Sequence, residues 1–332
     1  MGSWDSLLLH PTTVGGKLLL MVIAIAVFAL VMAVVLALAD RLGRFPGWVT
    51  ALVFLFPVLG LVCFGLIYPA LVTIKNSFFD ATSDKFVGFA NFATVLTGSE
   101  FLITLRNTLA WVLLVPLLAT GIGLVYAVLV DRARVERFAK TLIFMPMAIS
   151  MVGASLIWKF VYNDRVGILS RCYVTVAGWF GNEDAQAPHW LMNAPWNTFF
   201  LMVIMIWIQA GFAMTVLSAS IKAIPDDIVE AGRLDGLTGV KMFRYVTVPM
   251  IRPSLVVVMT TVAMTALKAF DIVRTMQGGH FHASVVANDF YTWSFNNHDA
   301  GIGGALAVLL FVIVVPVIAY NVNQLKKAED IR

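Results

Sequence analysis

The sequence predicts an all-α polytopic membrane protein with seven transmembrane helices. Two observations carry this: the composition, and a series of apolar runs each long enough to cross a bilayer. Of 332 residues, 60% are hydrophobic and 13% charged, and the mean hydropathy is +0.88. An ordinary soluble domain has roughly 25% charged residues, and no half of this chain approaches that composition. A hydrocarbon core takes about 20 apolar residues as helix. Seven segments qualify: 18–39, 49–74, 107–130, 141–162, 197–221, 254–272 and 302–322.

The first run, Leu18 to Ala39, contains no charge. Its last residues, Ala37-Leu38-Ala39, have the small-residue pattern of a signal-peptidase site. However, the apolar core is too long for a signal peptide, and Lys17 is the only basic residue before it. A retained helix is expected. Pro57, Pro69, Pro116, Pro146 and Pro316 lie inside the runs. Such prolines are tolerated where neighbouring helices cover the freed carbonyls, and they mark expected kinks.

Orientation follows from Lys and Arg in the connections. With the N-terminus outside, the inner segments (40–47, 131–140, 222–252 and 323–332) hold 14 basic residues in 59 positions. The outer segments (1–17, 75–106, 163–196 and 271–301) hold 7 in 114. The positive-inside rule then predicts N-terminus out and C-terminus in, with Asp131-Arg132-Ala133-Arg134-Val135-Glu136-Arg137 as the strongest anchor. The net charge of +4 and pI of 9.1 fit a membrane surface, not nucleic acid, because the basic residues sit in short loops. Cys63 and Cys172 form neither a disulfide framework nor a metal cluster. His280, His282 and His298 are a weak metal-like grouping, and no metal is expected.

The connection 222–252 therefore falls on the cytoplasmic side, and it is unusually charged for its surroundings. Ile224-Pro225-Asp226-Asp227 reads as a helix start, with Asp as N-cap and acidic residues at the positive end of the dipole. Ile228, Val229, Ala231 and Leu234 make an apolar face at helical spacing. Gly236 is a left-handed C-terminal cap. Thr238 caps a second short helix carrying Val240, Phe243 and Val246, expected to stop before Pro249. The exposed charges would be Glu230, Arg233, Asp235, Lys241 and Arg244.

Glu230-Ala231-Gly232, Asp235-Gly236, Phe243 and Pro249 fall at the spacing of the EAA loop of ABC importer permeases, which this region resembles. Gly232 stands where the family usually has a second alanine, which weakens the helix by up to about 1 kcal/mol. The resemblance covers about 49–325. Tyr68-Pro69, Ser77-Phe78, Phe144-Met145-Pro146, Ile157-Trp158, Asn163-Asp164, Phe270-Asp271, Gly278-Gly279, Tyr291 and Gly301 to Ala305 extend it. It points to the carbohydrate-uptake, maltose-type F branch, on the side of the alpha-glucoside permeases. It implies a six-helix type I core plus one extra N-terminal helix. The implied divisions are 1–48 (extra helix and first connection), 49–325 (transmembrane domain, coupling loop 224–253) and 326–332 (cytoplasmic tail).

No Walker-type Gly-Lys-Ser/Thr loop occurs. The chain is expected to hold no cofactor and to be no enzyme, with ATP and Mg bound by a partner ATPase. The resemblance further implies a second homologous permease subunit, an ATPase dimer at the cytoplasmic loop and an extracytoplasmic sugar-binding protein, in a bacterial cytoplasmic (inner) membrane. Membrane lipid is a partner; nucleic acid is not.

Polar residues within spans are costly and often functional. Gln209, beside Trp207 and Phe212, is the leading sugar contact, in a region where the resemblance places such contacts. Thr261, Thr265 and Trp158 follow. Their bland reading is helix packing and interhelical hydrogen bonding. Lys268 with Asp271, and Lys159 with Asp164, read as neutralising pairs; Gly121 and Gly123 read as close packing. An ion-gradient-driven secondary transporter is the alternative function, but it would show buried mid-membrane carboxylates, and here the acidic residues lie in loops or at span ends. A membrane enzyme would need a catalytic constellation in the spans, and none is visible.

Overall fold

The structure, a computed structural model, describes residues 14–41, 47–131, 135–182 and 184–329. Arg132, Ala133 and Arg134 of the basic anchor lie outside them. The regular elements of the described residues are all helices, apart from one isolated bridge pair, Phe79 and Phe86. The chain divides into two compact units at Val72.

The first unit holds α1 (Val14–Arg41) and α2 (Gly47–Val62). The described part of α1 is apolar and exposed nearly all round, which suits lipid and not water. A π turn, Cys63–Ile67, joins α2 to α3 (Tyr68–Asn76). The residue before Pro69 bonds five residues back, Tyr68 N–H to the Cys63 carbonyl. The wide turn accommodates a proline that has no N–H and would otherwise collide with the carbonyl four residues earlier.

The second unit contains α4 (Ala90–Thr97), α5 (Ser99–Val130), α6 (Glu136–Phe144), α7 (Met151–Val161), α8 (Ile168–Trp179) and α9 (Trp196–Lys222). After them come α10 (Asp226–Leu234), α11 (Gly239–Met242), α12 (Val248–Met250), α13 (Arg252–Ala266), α14 (Phe270–Met276), α15 (Val286–Tyr291) and α16 (Ala300–Glu329). Its core lies where α5, α9 and α13 meet, around Trp111, Val115, Leu201, Met205, Met214, Val258 and Val262. Helix α9 is the central element, with 15 of its 27 residues buried.

Five helices are long and apolar enough to cross a membrane, and two bent helix pairs raise this to seven if each pair is one span. The five agree with the expected first, second, third, fifth and seventh runs. The fourth is not a straight span: α6 with its 3-10 extension Met145–Ala148 meets α7 at 103°. Pro146 sits in that extension, Ile149 is extended, and Ser150 restarts the helix by accepting the Gly153 N–H at 3.1 Å. The sixth also departs from expectation. Helix α13 ends at Ala266, and the segment from Gly239 to Met250 meets it at 71°.

Helices α5 and α9 run in the same direction and touch closely. A Cβ on Gly123 would stand 2.5 Å from Ala213 Cβ and 2.7 Å from the Met214 nitrogen. One turn or two further along, Ser218 donates to Asp131 at 2.6 Å. Gly123 is thus a packing glycine as expected, whereas a Cβ on Gly121 would meet nothing within 4 Å.

At the N-terminal ends of α5 and α9, buried polar side chains pin the connection between α14 and α15. Asn107 donates to the carbonyls of His282 (2.7 Å) and Ser284 (3.0 Å), and Asn197 to that of Phe281 (2.7 Å). Thr108 accepts the Val286 N–H at 3.0 Å, and Thr104 donates to Asp289 at 2.7 Å. Burial pushes the Asp289 carboxyl above its ordinary value, against hydrogen bonds from Ser284 and Thr104 that lower it. Phe281 and His282 both have left-handed backbones, φ +57 and +58, which non-glycine residues adopt at a cost. The carbonyls of both are bound by the asparagines, Phe281 by Asn197 and His282 by Asn107. This pinned connection and the charged 222–252 segment lie at opposite ends of the α5–α9 pair.

The expected neutralising pairs do not form. Asp164 pairs with His189 at 2.5 Å, while Lys159 reaches the Thr275 carbonyl at 3.4 Å. Lys268 lies in the turn Leu267–Ala269, outside the helix that carries Asp271, and no ion pair joins them among the described residues. His282 lies 3.6 Å from Glu100. No group of three metal-ligating side chains converges among the described residues.

Candidate coupling interface and substrate path

The segment after α9 folds into a two-helix knob. Pro225 occupies the N-cap position, so Asp226 and Asp227 fall in the first turn of α10 instead of capping it. Their carboxylates still meet the positive end of the helix dipole. Helix α10 ends in a Schellman motif: Gly236 N–H bonds the Arg233 carbonyl at 3.0 Å and Leu237 N–H the Gly232 carbonyl at 2.9 Å. Gly236 has φ +79, the left-handed cap that glycine takes without a Cβ penalty.

The second helix differs from expectation in two ways. Thr238 is at the N-cap, but its hydroxyl makes no capping bond, and Gly239 follows with φ +52. The helix does not stop before Pro249. It passes through it by a π turn, Phe243–Thr247, with Val248 N–H bonded to the Phe243 carbonyl. The π turn before Pro69 works in the same way.

Gly232 is where the two knob helices touch. It is buried, and a Cβ there would lie 3.1 Å from Met242 Cε and 3.4 Å from Val246 Cγ2. The nearest atom is the tip of a flexible methionine. Gly232→Ala is therefore expected to be accommodated and to stabilise the knob by about 0.5–1 kcal/mol through helix propensity. Thermal unfolding of the purified protein would check this; a fall in Tm would show that the approach is tighter than Met242 can relieve.

Glu230, Ala231, Asp235, Gly236 and Pro249 are exposed, and Phe243 is half-buried. No ion pair or side-chain hydrogen bond engages Glu230, Arg233, Asp235, Lys241 or Arg244 among the described residues. The expected apolar face of α10 is corrected: Leu234 is 89% exposed, and only Val229 and the backbone at Gly232 face inward. With Val240 80% exposed, the knob presents apolar tips among unpaired charges. Exposure of Leu234 and Val240 was the signal that helical spacing alone misses. Behind the knob lies a cleft of about 860 Å³, walled by Leu124, Val128, Ile221, Val229, Val240 and Phe243.

The six substrate candidates occupy three helices. Trp158 on α7 and Trp207 on α9 meet with ring centroids 5.8 Å apart, and Trp158 also packs on Tyr162 at 5.1 Å. Gln209 is buried on α9, 8% exposed, and its side chain makes no hydrogen bond among the described residues. Phe212 is half-buried. Thr261 and Thr265 are half-buried on α13, and each hydroxyl donates to the carbonyl four residues back, at 2.8 and 3.0 Å. Trp158 and Trp207 are thus brought together, while no ring contact or hydrogen bond joins the threonines to them.

Long apolar helices together with a charged, exposed helical knob are the features of a polytopic helical membrane protein. The chain belongs to the family described as "Binding-protein-dependent transport system inner membrane component", which matches residues 119–327. It is 43% identical over 274 residues to the osmoprotective compounds uptake permease protein GgtC of Synechocystis, covering 80% of this chain and 95% of that protein. It is 39% identical over 295 residues to the alpha-glucoside transport system permease protein AglF of Rhizobium meliloti, covering 87% and 86%. Its fold is that of a solved bacterial ABC transporter chain involved in import of the acidic polysaccharide alginate, with TM-score 0.71 and 19% identity over 87% of this chain and 99% of that one.

Proposed function

We propose that this chain is the transmembrane permease subunit of an ATP-driven, binding-protein-dependent importer of alpha-glucosides or related di- and oligosaccharides. The observation that carries the proposal is the knob, a Schellman-closed helix pair with unpaired charges, in a chain that belongs to the inner-membrane family. Six spans form the core, counting each bent pair as one, and α1 is an additional helix. The N-terminus is outside and the C-terminus cytoplasmic, in keeping with the basic residues. Glu230, Ala231, Gly232, Asp235, Gly236, Phe243 and Pro249 form the coupling element for a separate ATPase dimer, which binds ATP and Mg. A second permease subunit and an extracytoplasmic sugar-binding protein complete the assembly. The alpha-glucoside transport name of one relative supports the sugar class.

Alternating access needs partners that bind the two states unequally. Nucleotide on one side and the loaded binding protein on the other would supply that difference. An ion-gradient mechanism has no support among relatives named as ABC-type and binding-protein-dependent permeases.

Proteoliposomes holding the chain with its second permease and ATPase subunits should take up maltose only with ATP inside and binding protein outside. Uptake driven by an ion gradient without ATP would overturn the proposal. Within the path, Gln209 has hydrogen-bonding capacity to offer a sugar hydroxyl. One such bond contributes about 0.5–1.5 kcal/mol, so Gln209→Ala should raise the apparent KM for maltose roughly threefold to tenfold. ATP hydrolysis should stay coupled to uptake. An unchanged KM and rate would remove Gln209 from the sugar site.

A further inference from the structure

The base of the knob contains an ionic cluster that spacing did not suggest. Asp131 at the end of α5, Glu136 and Lys140 on α6, and Ser218 and Lys222 on α9 converge there. Lys140 binds Asp131 at 2.5 Å and Glu136 at 2.9 Å, and it also contacts Ser218. Ser218 donates to Asp131 at 2.6 Å. Lys222 is in contact with Glu136 and stands 4.0 Å from Asp131 Oδ1.

Two details make this cluster unequal. The Asp131 side chain is nine-tenths buried, and its Oδ2 is fully buried without a hydrogen-bond partner. A buried acceptor without a donor is costly. Lys222 is half-exposed and carries three N–H donors; its Nζ stands about 1 Å outside hydrogen-bonding range of Asp131 Oδ1, the oxygen that Lys140 and Ser218 already engage. It is the last residue of α9, and only Ala223, Ile224 and Pro225 separate it from α10. Asp131 also lines the cleft behind the knob.

The geometry points to Lys222 as a positioning residue with two stations, Glu136 in the conformation seen here and Asp131 when the knob moves with its ATPase. The inference rests on the transport reading above. Lys140 and Ser218 hold Asp131 in place throughout. Lys222 thereby converts displacement of the knob into a change at the α5–α6 corner, and so links the ATPase to the spans. A partly exposed ion pair adds little to stability by itself, so a merely structural cluster would be nearly silent in coupling.

The test uses the complete transporter in proteoliposomes, with maltose as probe, and reads ATP hydrolysis with and without loaded binding protein. Glu136→Gln removes the first station, and basal hydrolysis should rise about fivefold, at the lower end of ordinary coupling between sites. Asp131→Asn removes the second, and stimulated hydrolysis and uptake should fall by a similar factor. In a Lys222→Met background both changes should become silent, while Lys222→Arg should retain wild-type coupling. The inference is overturned if the two carboxylate variants shift hydrolysis in the same direction, or if they keep their effects in the Lys222→Met background. Loss of Tm with unchanged ATP consumed per maltose would likewise assign the cluster to structure alone. If hydrolysis by the unsubstituted complex ignores the loaded binding protein, the transport reading itself falls, and the inference with it.

Discussion

A Gly236→Val protein is expected to insert in the membrane and assemble, yet to lose ATP-driven uptake almost completely. The reason is backbone conformation. Gly236 sits at φ +79, and a Cβ there would meet nothing within 4 Å. Crowding by neighbours is therefore absent. A left-handed L-residue costs roughly 1–2 kcal/mol, and a β-branched one more. The turn relieves that strain by leaving the left-handed region, which breaks the Leu237–Gly232 and Gly236–Arg233 bonds that close α10. The second knob helix then points elsewhere, and Glu230 and Asp235 no longer share a surface with Lys241 and Arg244. Asparagine tolerates the left-handed region better, so Gly236→Asn should recover much of the uptake. Uptake into proteoliposomes, with membrane insertion followed by protease protection, separates these outcomes. Undiminished uptake by the valine variant would remove the knob from coupling.

Gly123→Leu should act one level lower, on the fold. Its Cβ would stand 2.5 Å from Ala213 Cβ, 2.7 Å from the Met214 nitrogen and 3.0 Å from the Ala210 carbonyl. Two of those atoms are backbone of α9 and cannot rotate away. The helices must separate, and with them the most buried part of the molecule. Overpacking a tight interior costs typically 1–3 kcal/mol and occasionally more, so even Gly123→Ala should lower Tm clearly and Gly123→Leu should prevent accumulation of folded protein. Gly121→Ala, two residues away, should be neutral or slightly stabilising, because open space surrounds that position. Size-exclusion profiles and thermal unfolding of detergent-solubilised protein would check the contrast. Equal behaviour at the two positions would refute the packing argument.

Much of the knob could be read directly. Gly236 as a left-handed stop and Asp226-Asp227 as an acidic first turn are local backbone chemistry, which neighbours hardly alter. Other readings failed where a contact distant in the chain decided. Thr238 was legible as an N-cap position, but its hydroxyl is not used. Pro249 looked like a stop, yet the π turn before it carries the helix through. Leu234 fits an inward apolar face by spacing, yet it points outward because Gly232 and Val229 take the inner side against Met242, Val246 and the cleft.

The same division holds for the membrane part. Run length and charge placement are enough to identify a helical membrane protein, because in lipid each backbone group must be bonded within its own helix and charge is confined to the ends. Pro146 already marks a kink in the fourth run, but tertiary structure alone shows that the bend reaches 103°, and that Trp158 meets Trp207. It alone brings Lys222 between Glu136 and Asp131. Those outcomes depend on how the helices pack, where close approach at residues such as Gly123 sets which side chains meet. Composition and spacing hold no record of that distance.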